Sequence, residues 1–405
     1  MELSNLSSPA DTIRNLAMKY REEILFHRRY FHQFPELSFE EKGTAEYIAH
    51  FLENHHIPFR KGFAGYGLVA TLAGKREKGR VIALRADMDA LPVKEKTGLP
   101  FASRHTGRMH ACGHDMHMAS LMGTLLILKD IRDSWEGRVL FVFQPGEEKL
   151  PGGALSMIKE GALSEPAPEL IMAQHVLPEM ATGHVGFRPG KYMASSDELY
   201  LTVRGKGGHA AMLKETVNPL MIAASLLVLL DQKIRQETPG NTPTVLSFGK
   251  ITGAGATNVV PDEVKLDGTF RTLDESWREK AHRLIRETAR SVASQMGGAC
   301  ETTIVKGYPV LENHLEMTRR AMKYAAAYLG NENVEELDIR MTAEDFAHYA
   351  RQFPAVFYRL GTGDGNPPAG GLHSPEFTAR EEALTTGSGT MAWLAYSFLH
   401  DATSR

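Results

Sequence analysis

The chain has 405 residues, of which 42% are hydrophobic and 23% charged, and its formal net charge is −3. This is ordinary globular composition with apolar material for two or three domains. The near-neutral balance argues against nucleic acid or an anionic membrane surface as partner and for a small-molecule or peptide ligand.

Two cysteines, Cys112 and Cys300, form no disulfide framework, and both are expected to be reduced. The amino-terminal stretch MELSNLSSPADTIRNL has no basic region and no apolar region of a secretory signal. The apolar run 220–230 is too short to span a bilayer, and HDATSR at the carboxyl end carries no address, so a cytoplasmic location is expected.

In chain order, the apolar spacing predicts a helix over 11–33 and a second over 40–54, after a PELSFEE turn. Strands come next at 67–73 and 80–86, then a helix over 118–131, then strands at 138–144 and 170–174. This alternation points to a mainly parallel α/β sheet. The middle of the chain reads β-α-β-β-α-β: strand 198–205, helix 217–236, strands 244–251 and 263–271, helix 274–296, strand 300–305. That order is the ferredoxin-like split pattern. A catalytic domain in two parts, 1–192 and 306–405, is therefore expected around an inserted domain, 193–305.

The residues at the carboxyl end of each strand carry more information than the strands. RVIALRA runs into Asp87 and Asp89, RVLFVFQ into Glu147 and Glu148, LIMAQ into His175, and AVFYRLG into a Gly/Pro-rich loop leading to His373. Ligands of open α/β sheets bind beyond the carboxyl ends of the strands. Chance accounts for one or two such placements, and four of four point to one shared site.

The stretch MHACGHDMHMAS adds Cys112 and His114 ahead of the helix. An isolated CxH is more often a buried structural cysteine beside a surface histidine. No CxxC or second HxxxH pair accompanies it, so it cannot close a structural zinc site by itself, and further ligands must come from far along the chain. Adjacent carboxylates such as Glu147 and Glu148 are commonly a solvated turn. At a site they divide the work, one on metal and the other as general base. Cys112, His114, Glu148, His175 and His373 make a mixed S/N/O set that suits Zn, Mn, Co or Ni better than Mg or Ca. Five ligands suit two ions about 3.5–4 Å apart. In the inserted domain, His209 lies in GKGGHAA, Asn258 in GATNVVPDE and Arg271 at the end of a strand. Arginine can bind a carboxylate bidentately, and histidine or asparagine can donate to a carbonyl oxygen. Each of the three taken alone is as readily structural.

The ordered motifs RADMDALP, HACGHDMHMA, FQPGEE, GKGGHAA, NVVPDE, GTFRTLD, TAEDFAHY and LHSPEF make the chain resemble the N-acyl-amino-acid amidohydrolases over about residues 20–400. These are the hippurate hydrolases and plant auxin-conjugate hydrolases, a branch of the aminoacylase and carboxypeptidase G metallopeptidase family. The resemblance implies a dinuclear-metal α/β catalytic domain with an inserted α+β lid that often dimerises. It implies metal ligation by Cys112, His114, Glu148, His175 and His373. Glu147 would be general base and then proton donor to the leaving amine. His209 would approach the scissile carbonyl, from its own or a partner subunit, while Asn258 and Arg271 would meet the substrate carboxylate region. A homodimer or higher homo-oligomer through the lid is expected.

The chain departs from that pattern at three points. Asp87 occupies a position where the broader family has histidine, Leu213-Lys214 replaces an expected Pro-His pair, and KLPGGA comes after PGEE. The expected reaction is hydrolysis of an N-acyl amino acid. A dipeptidase or carboxypeptidase on the same scaffold is the alternative, and a non-catalytic metal-binding sensor a more distant one.

Overall fold

The protein is described by a computed structural model covering residues 8–366 and 370–401. The first seven residues of the amino-terminal stretch, three residues of the Gly/Pro-rich loop and the last four of HDATSR lie outside that range. The chain forms two compact units. The first comprises Met1–Gly190, Glu312–Asp338 and Asp345–Arg405, and the second Lys191–Leu311 with Ile339–Glu344.

The first unit holds an eight-stranded sheet. Its order is Phe59–Phe63, Gly67–Ala73, Arg138–Gln144, Val81–Asp87, Leu170–Ala181, Ala355–Gly363, Val185–Phe187, Val334–Glu336. The four central strands run parallel. They are continuous apolar runs such as VLFVF, as expected of strands buried on both faces. Antiparallel pairings at Phe59–Phe63, Gly67–Ala73 and Val185–Phe187 flank them.

The helix His114–Asp130 is buried from His114 through Leu128. It packs against the helices Arg21–Gln33 and Ala383–His400, so it is buried all round rather than on one stripe. It begins at His114, earlier than the expected 118, with Gly113 as its cap. The expected helix 11–33 is two helices, Pro9–Lys19 and Arg21–Gln33, parted at Tyr20.

The strand through LIMAQ continues to Ala181, so His175 lies within it and not after it. Its pairing with Val81–Asp87 stops at Ala173, opposite Arg85. Beyond that point it pairs with Ala355–Gly363, with His175 opposite Arg359. The released side lies beside the ends of Val81–Asp87 and Arg138–Gln144.

The second unit has an antiparallel four-stranded sheet in the order Thr244–Gly253, Glu263–Thr272, Asp197–Arg204, Ala299–Lys306. The helices Pro219–Glu237 and Glu275–Gln295 pack on it through Ile222, Leu226, Leu230, Ala281, Ile285 and Ala289. Asn218 and Asp274 cap these helices by accepting the N–H groups of Leu220 and Trp277.

Candidate metal centre

Glycines shape both loops that bring the candidate residues together. Gly113 has φ 80°, and a Cβ there would lie 2.5 Å from Val176 Cγ2. The turn it makes separates Cys112 from His114, the first residue of the buried helix. Gly146 has φ 64°, and a Cβ would lie 2.5 Å from the Phe39 ring. Glu147 and Glu148 come directly after it, the first buried and the second half-buried. His373 adopts φ 65°, unusual for a residue with a side chain, and its N–H donates to Ala111 O at 2.8 Å. Such a conformation costs of order 1–3 kcal/mol and persists only when its surroundings enforce it.

The ligand-type atoms converge. Cys112 Sγ lies 3.4 Å from His175 Nε2. Glu148 Oε1 lies 3.1 Å from His373 Nε2 and 3.9 Å from His114 Nε2. Two groups have their ligand atoms all within 4.8 Å of one another: Cys112 with His114 and His175, and Cys112 with Glu148 and His373. A third, His114 with Glu147 and Glu148, sets Glu147 beside them. Asp87, His114 and His117 also cluster, but His117 is fully engaged. Its Nδ1 faces Asp87 Oδ1 at 2.6 Å, and its Nε2 accepts the Val176 N–H at 3.0 Å.

The donors fit a cation. His175 Nδ1 donates to Val176 O at 2.8 Å, which leaves the Nε2 lone pair free. Burial, with Arg359 beside it, holds this ring well below its usual pKa and therefore neutral. Among the described residues, both nitrogens of His114 and Glu148 Oε1 are buried without a hydrogen bond of regular geometry. Burial also lowers His114, but Asp87, Asp89 and Glu148 outweigh it and push the ring up to about 10. Burial, then Glu148, Glu147 and Asp87, push the Cys112 thiol up. A pocket that holds a proton on both sulfur and imidazole is one where carboxylates attract positive charge, and a divalent ion can displace those protons.

Residues 83–397 match the family described as Peptidase family M20/M25/M40. The chain belongs to the M20/M25/M40 peptidase family. It is 36% identical to the N-acetyl-L-cysteine deacetylase of Bacillus subtilis, over 89% of this chain and 84% of the relative. It is 32% identical to thermostable carboxypeptidase 1 of Saccharolobus solfataricus, over 96% and 98%. Among solved structures, the Bacillus subtilis YXEP protein, described as a dinuclear metal binding peptidase from M20 family, superposes with a TM-score of 0.80. It shares 32% identity, covering 94% of this chain and 99% of that one. This M20 chain is a metal-dependent hydrolase of amide bonds, with a mainly parallel α/β catalytic fold.

Behind the cluster, the M20 chain carries a buried polar layer that its motifs do not announce. Arg85 donates to Asp87 Oδ2 at 2.6 Å, to Gln144 Oε1 at 2.9 Å and to Asp345 Oδ1 at 2.8 Å. Gln144 Nε2 and the Ala154 N–H also donate to the Asp345 carboxylate. Asp89 Oδ1 stands 3.3 Å from His114 Nδ1, the relation of a carboxylate that orients a ligand imidazole. Asp115 points away from the cluster, to Arg28 Nε at 3.0 Å and His32 Nδ1 at 2.8 Å.

His209, Asn258 and Arg271 all belong to the second unit. His209 pairs with Val259 in a two-stranded ribbon, and the Ala210 N–H donates to Asn258 O at 3.0 Å. Both His209 and Asn258 are exposed. Arg271 is half-buried and donates to Met341 O at 3.1 Å. Burial lowers its pKa.

Proposed function

We propose that the chain hydrolyses N-acyl amino acids to a carboxylate and a free amino acid. Cys112, His114, Glu148, His175 and His373 would hold two divalent transition ions (Zn, Mn, Co or Ni). The observation that carries this reading is the meeting of all five residues in two ligand groups that share Cys112, with Glu147 alongside. When bound, the ions supply Lewis-acid polarisation of the amide carbonyl and favour ionisation of the attacking water.

The chain's own residues do the rest. Glu147 takes the proton from water as the oxygen adds to the carbonyl carbon. It returns that proton to the amine nitrogen as the C–N bond breaks. Arg271, half-buried with no carboxylate partner among the described residues, anchors the substrate's α-carboxylate, and Asn258 meets the same region. His209 donates to the carbonyl oxygen, from its own or a partner subunit. Exposed apolar residues Leu220, Met221, Val228 and Leu229 on the helix Pro219–Glu237 support a homodimer through the second unit. Two free cysteines suit the reducing cytoplasm.

Within the family, the hippurate and auxin-conjugate type of N-acyl substrate is the branch we favour, and the deacetylase relative agrees with it at the level of chemistry. The carboxypeptidase relative keeps a peptide substrate as the second reading. The test is a panel of N-acetyl and N-benzoyl amino acids and dipeptides on Mn- and Zn-loaded protein, with Glu147→Gln beside the wild type. Turnover of the acyl conjugates that Glu147→Gln abolishes, at unchanged metal content, supports the reading. Turnover of dipeptides alone rejects it in favour of the second. Loss of metal in Glu147→Gln means that the two glutamates exchange roles.

A further inference from the structure

The turn Glu36–Glu41 takes no part in the proposed reaction, yet it touches both loops that build the site. Leu37 bridges to Ala90, and the Ala90 N–H donates to Glu36 O at 2.8 Å. Ser38 Oγ donates to Asp89 Oδ2 at 2.6 Å, and the Glu148 N–H donates to the same oxygen at 2.9 Å. The other oxygen of Asp89 faces His114. Three residues on, Glu41 Oε1 accepts the N–H of Phe39 at 2.9 Å and of Gly146 at 2.8 Å. Phe39 and Gly146 both hold left-handed backbone, φ 67° and 64°. The Phe39 ring fills the space that a Cβ on Gly146 would need. Glu41 is fully buried. Glu36 turns the other way, onto the N–H groups of Gly43 at 3.0 Å and Thr44 at 2.7 Å, and ties the turn to the helix Lys42–Asn54.

We propose that Glu36–Glu41 is a positioning clip with two separable arms: Ser38, through Asp89, orients the ligand His114, and Glu41, through Gly146, holds the PGEE turn so that Glu147 stays beside the ligand set. This rests on the roles proposed for His114 and Glu147. Ser38 and Glu41 act through other residues and are not catalytic themselves. The Glu41 arm needs an acceptor oxygen and not a charge. Burial, with Asp89 nearby, pushes the Glu41 carboxyl up to about 8, so glutamine is its closest isostere at neutral pH.

The two arms predict different losses. In the full-length chain, Ser38→Ala, Glu41→Ala, Glu41→Gln and Gly146→Ala are compared with wild type. The readouts are Zn²⁺ and Mn²⁺ affinity by chelator competition, kcat and KM on N-acyl amino acids, and thermal stability. Ser38→Ala weakens metal affinity by about 10- to 100-fold while kcat at saturating metal stays within about threefold. Glu41→Ala and Gly146→Ala lower kcat by about 10- to 100-fold with metal affinity and KM little changed, and Glu41→Gln restores most of it.

Gly146→Ala carries its own steric cost in stability against the Phe39 ring, so the arms are judged on Ser38→Ala and Glu41→Ala: if each loses metal affinity, kcat and stability together, the clip is only a structural turn and the proposal is overturned. If Glu41→Gln is as impaired as Glu41→Ala, the acceptor role is overturned. Should Glu41→Ala not fold, Gly146→Ala and Glu41→Gln decide. If Glu147→Gln retains turnover, the reading of the base has failed instead, and chelator competition on Ser38→Ala still decides the metal arm.

Discussion

Gly113→Ala should strike the candidate centre harder than its size suggests. At φ 80° an alanine pays about 1–2 kcal/mol for left-handed backbone. Its Cβ meets Val176 Cγ2 at 2.5 Å, with Val176 Cγ1 at 3.4 Å and Phe377 Cζ at 3.5 Å. Valine is stiff at χ1, so overpacking adds about 1–3 kcal/mol. The entropy lost from the unfolded chain returns only about 0.4–1 kcal/mol. The net expectation is a destabilisation of about 1–5 kcal/mol from these three terms. Val176 cannot yield freely, because its N–H serves His117 Nε2 and its carbonyl takes the His175 Nδ1 proton. Relief of the clash therefore displaces a proposed ligand, and metal affinity should fall as well. Urea unfolding of the metal-free protein isolates the folding cost, and chelator competition reads the affinity. Combining Gly113→Ala with Val176→Ala should recover about 1–3 kcal/mol as coupling, since the clash disappears and the backbone strain remains. A single-variant cost below about 1 kcal/mol, or strictly additive behaviour in the pair, would refute the steric reasoning.

Other expectations rest on the same contacts. Chelation should lower the thermal midpoint, since an ion present at 100 times its Kd stabilises the folded chain by about 2.7 kcal/mol; a midpoint indifferent to chelator counts against the centre. Titration with Co²⁺ should raise a sulfur-to-metal charge-transfer band that Cys112→Ser removes, and persistence of the band in that variant would reassign the sulfur ligand. Asp197 is chelated by Arg278 at 2.6 and 2.9 Å and faces His282 at 2.6 Å. Asp197→Asn should cost the second unit about 1.5–3 kcal/mol, because the buried Arg278 loses its two-pronged partner while keeping the ion pair with Glu275 at 3.1 Å. Burial alone would raise the Asp197 pKa, but His282 and Arg278 hold it below the usual carboxylate value. Because the folded value is the lower one, the stabilisation is complete above the unfolded pKa of about 3.9 and is lost as pH falls below it. Acid unfolding monitored by circular dichroism should therefore be less steep there in Asp197→Asn.

The elements legible from sequence are those whose surroundings are uniform. The central parallel strands are buried on both faces and appear as unbroken apolar runs. The strand Phe59–Phe63, FRKGF, lies at the sheet edge with three exposed central residues, and no run or alternation marks it. The break at Tyr20 escapes detection for the opposite reason: Leu16, Tyr20 and Ile24 keep helical spacing across it, and neither glycine nor proline interrupts them. In the centre, the candidate ligands stand out because a thiol, imidazoles and paired glutamates fall near the ends of successive strands or at the start of the buried helix. Their supports do not, since Glu41 and Gly146 are 105 residues apart, Arg85 and Asp345 are 260 apart, and all are common residue types.

Residue type could not separate His114 from His117, one turn apart on the same buried helix. Hydrogen bonds do separate them. The Val176 N–H consumes the His117 lone pair, while His114 faces carboxylates, Asp89 at 3.3 Å from Nδ1 and Glu148 at 3.9 Å from Nε2. His175 is fixed by the same segment, because Val176 O takes its Nδ1 proton and turns Nε2 towards Cys112. One backbone residue therefore removes one histidine from the donor set and orients another. A sequence can display several imidazoles on adjacent elements, but it is the main chain of Val176 that occupies the His117 lone pair and turns that of His175 towards Cys112.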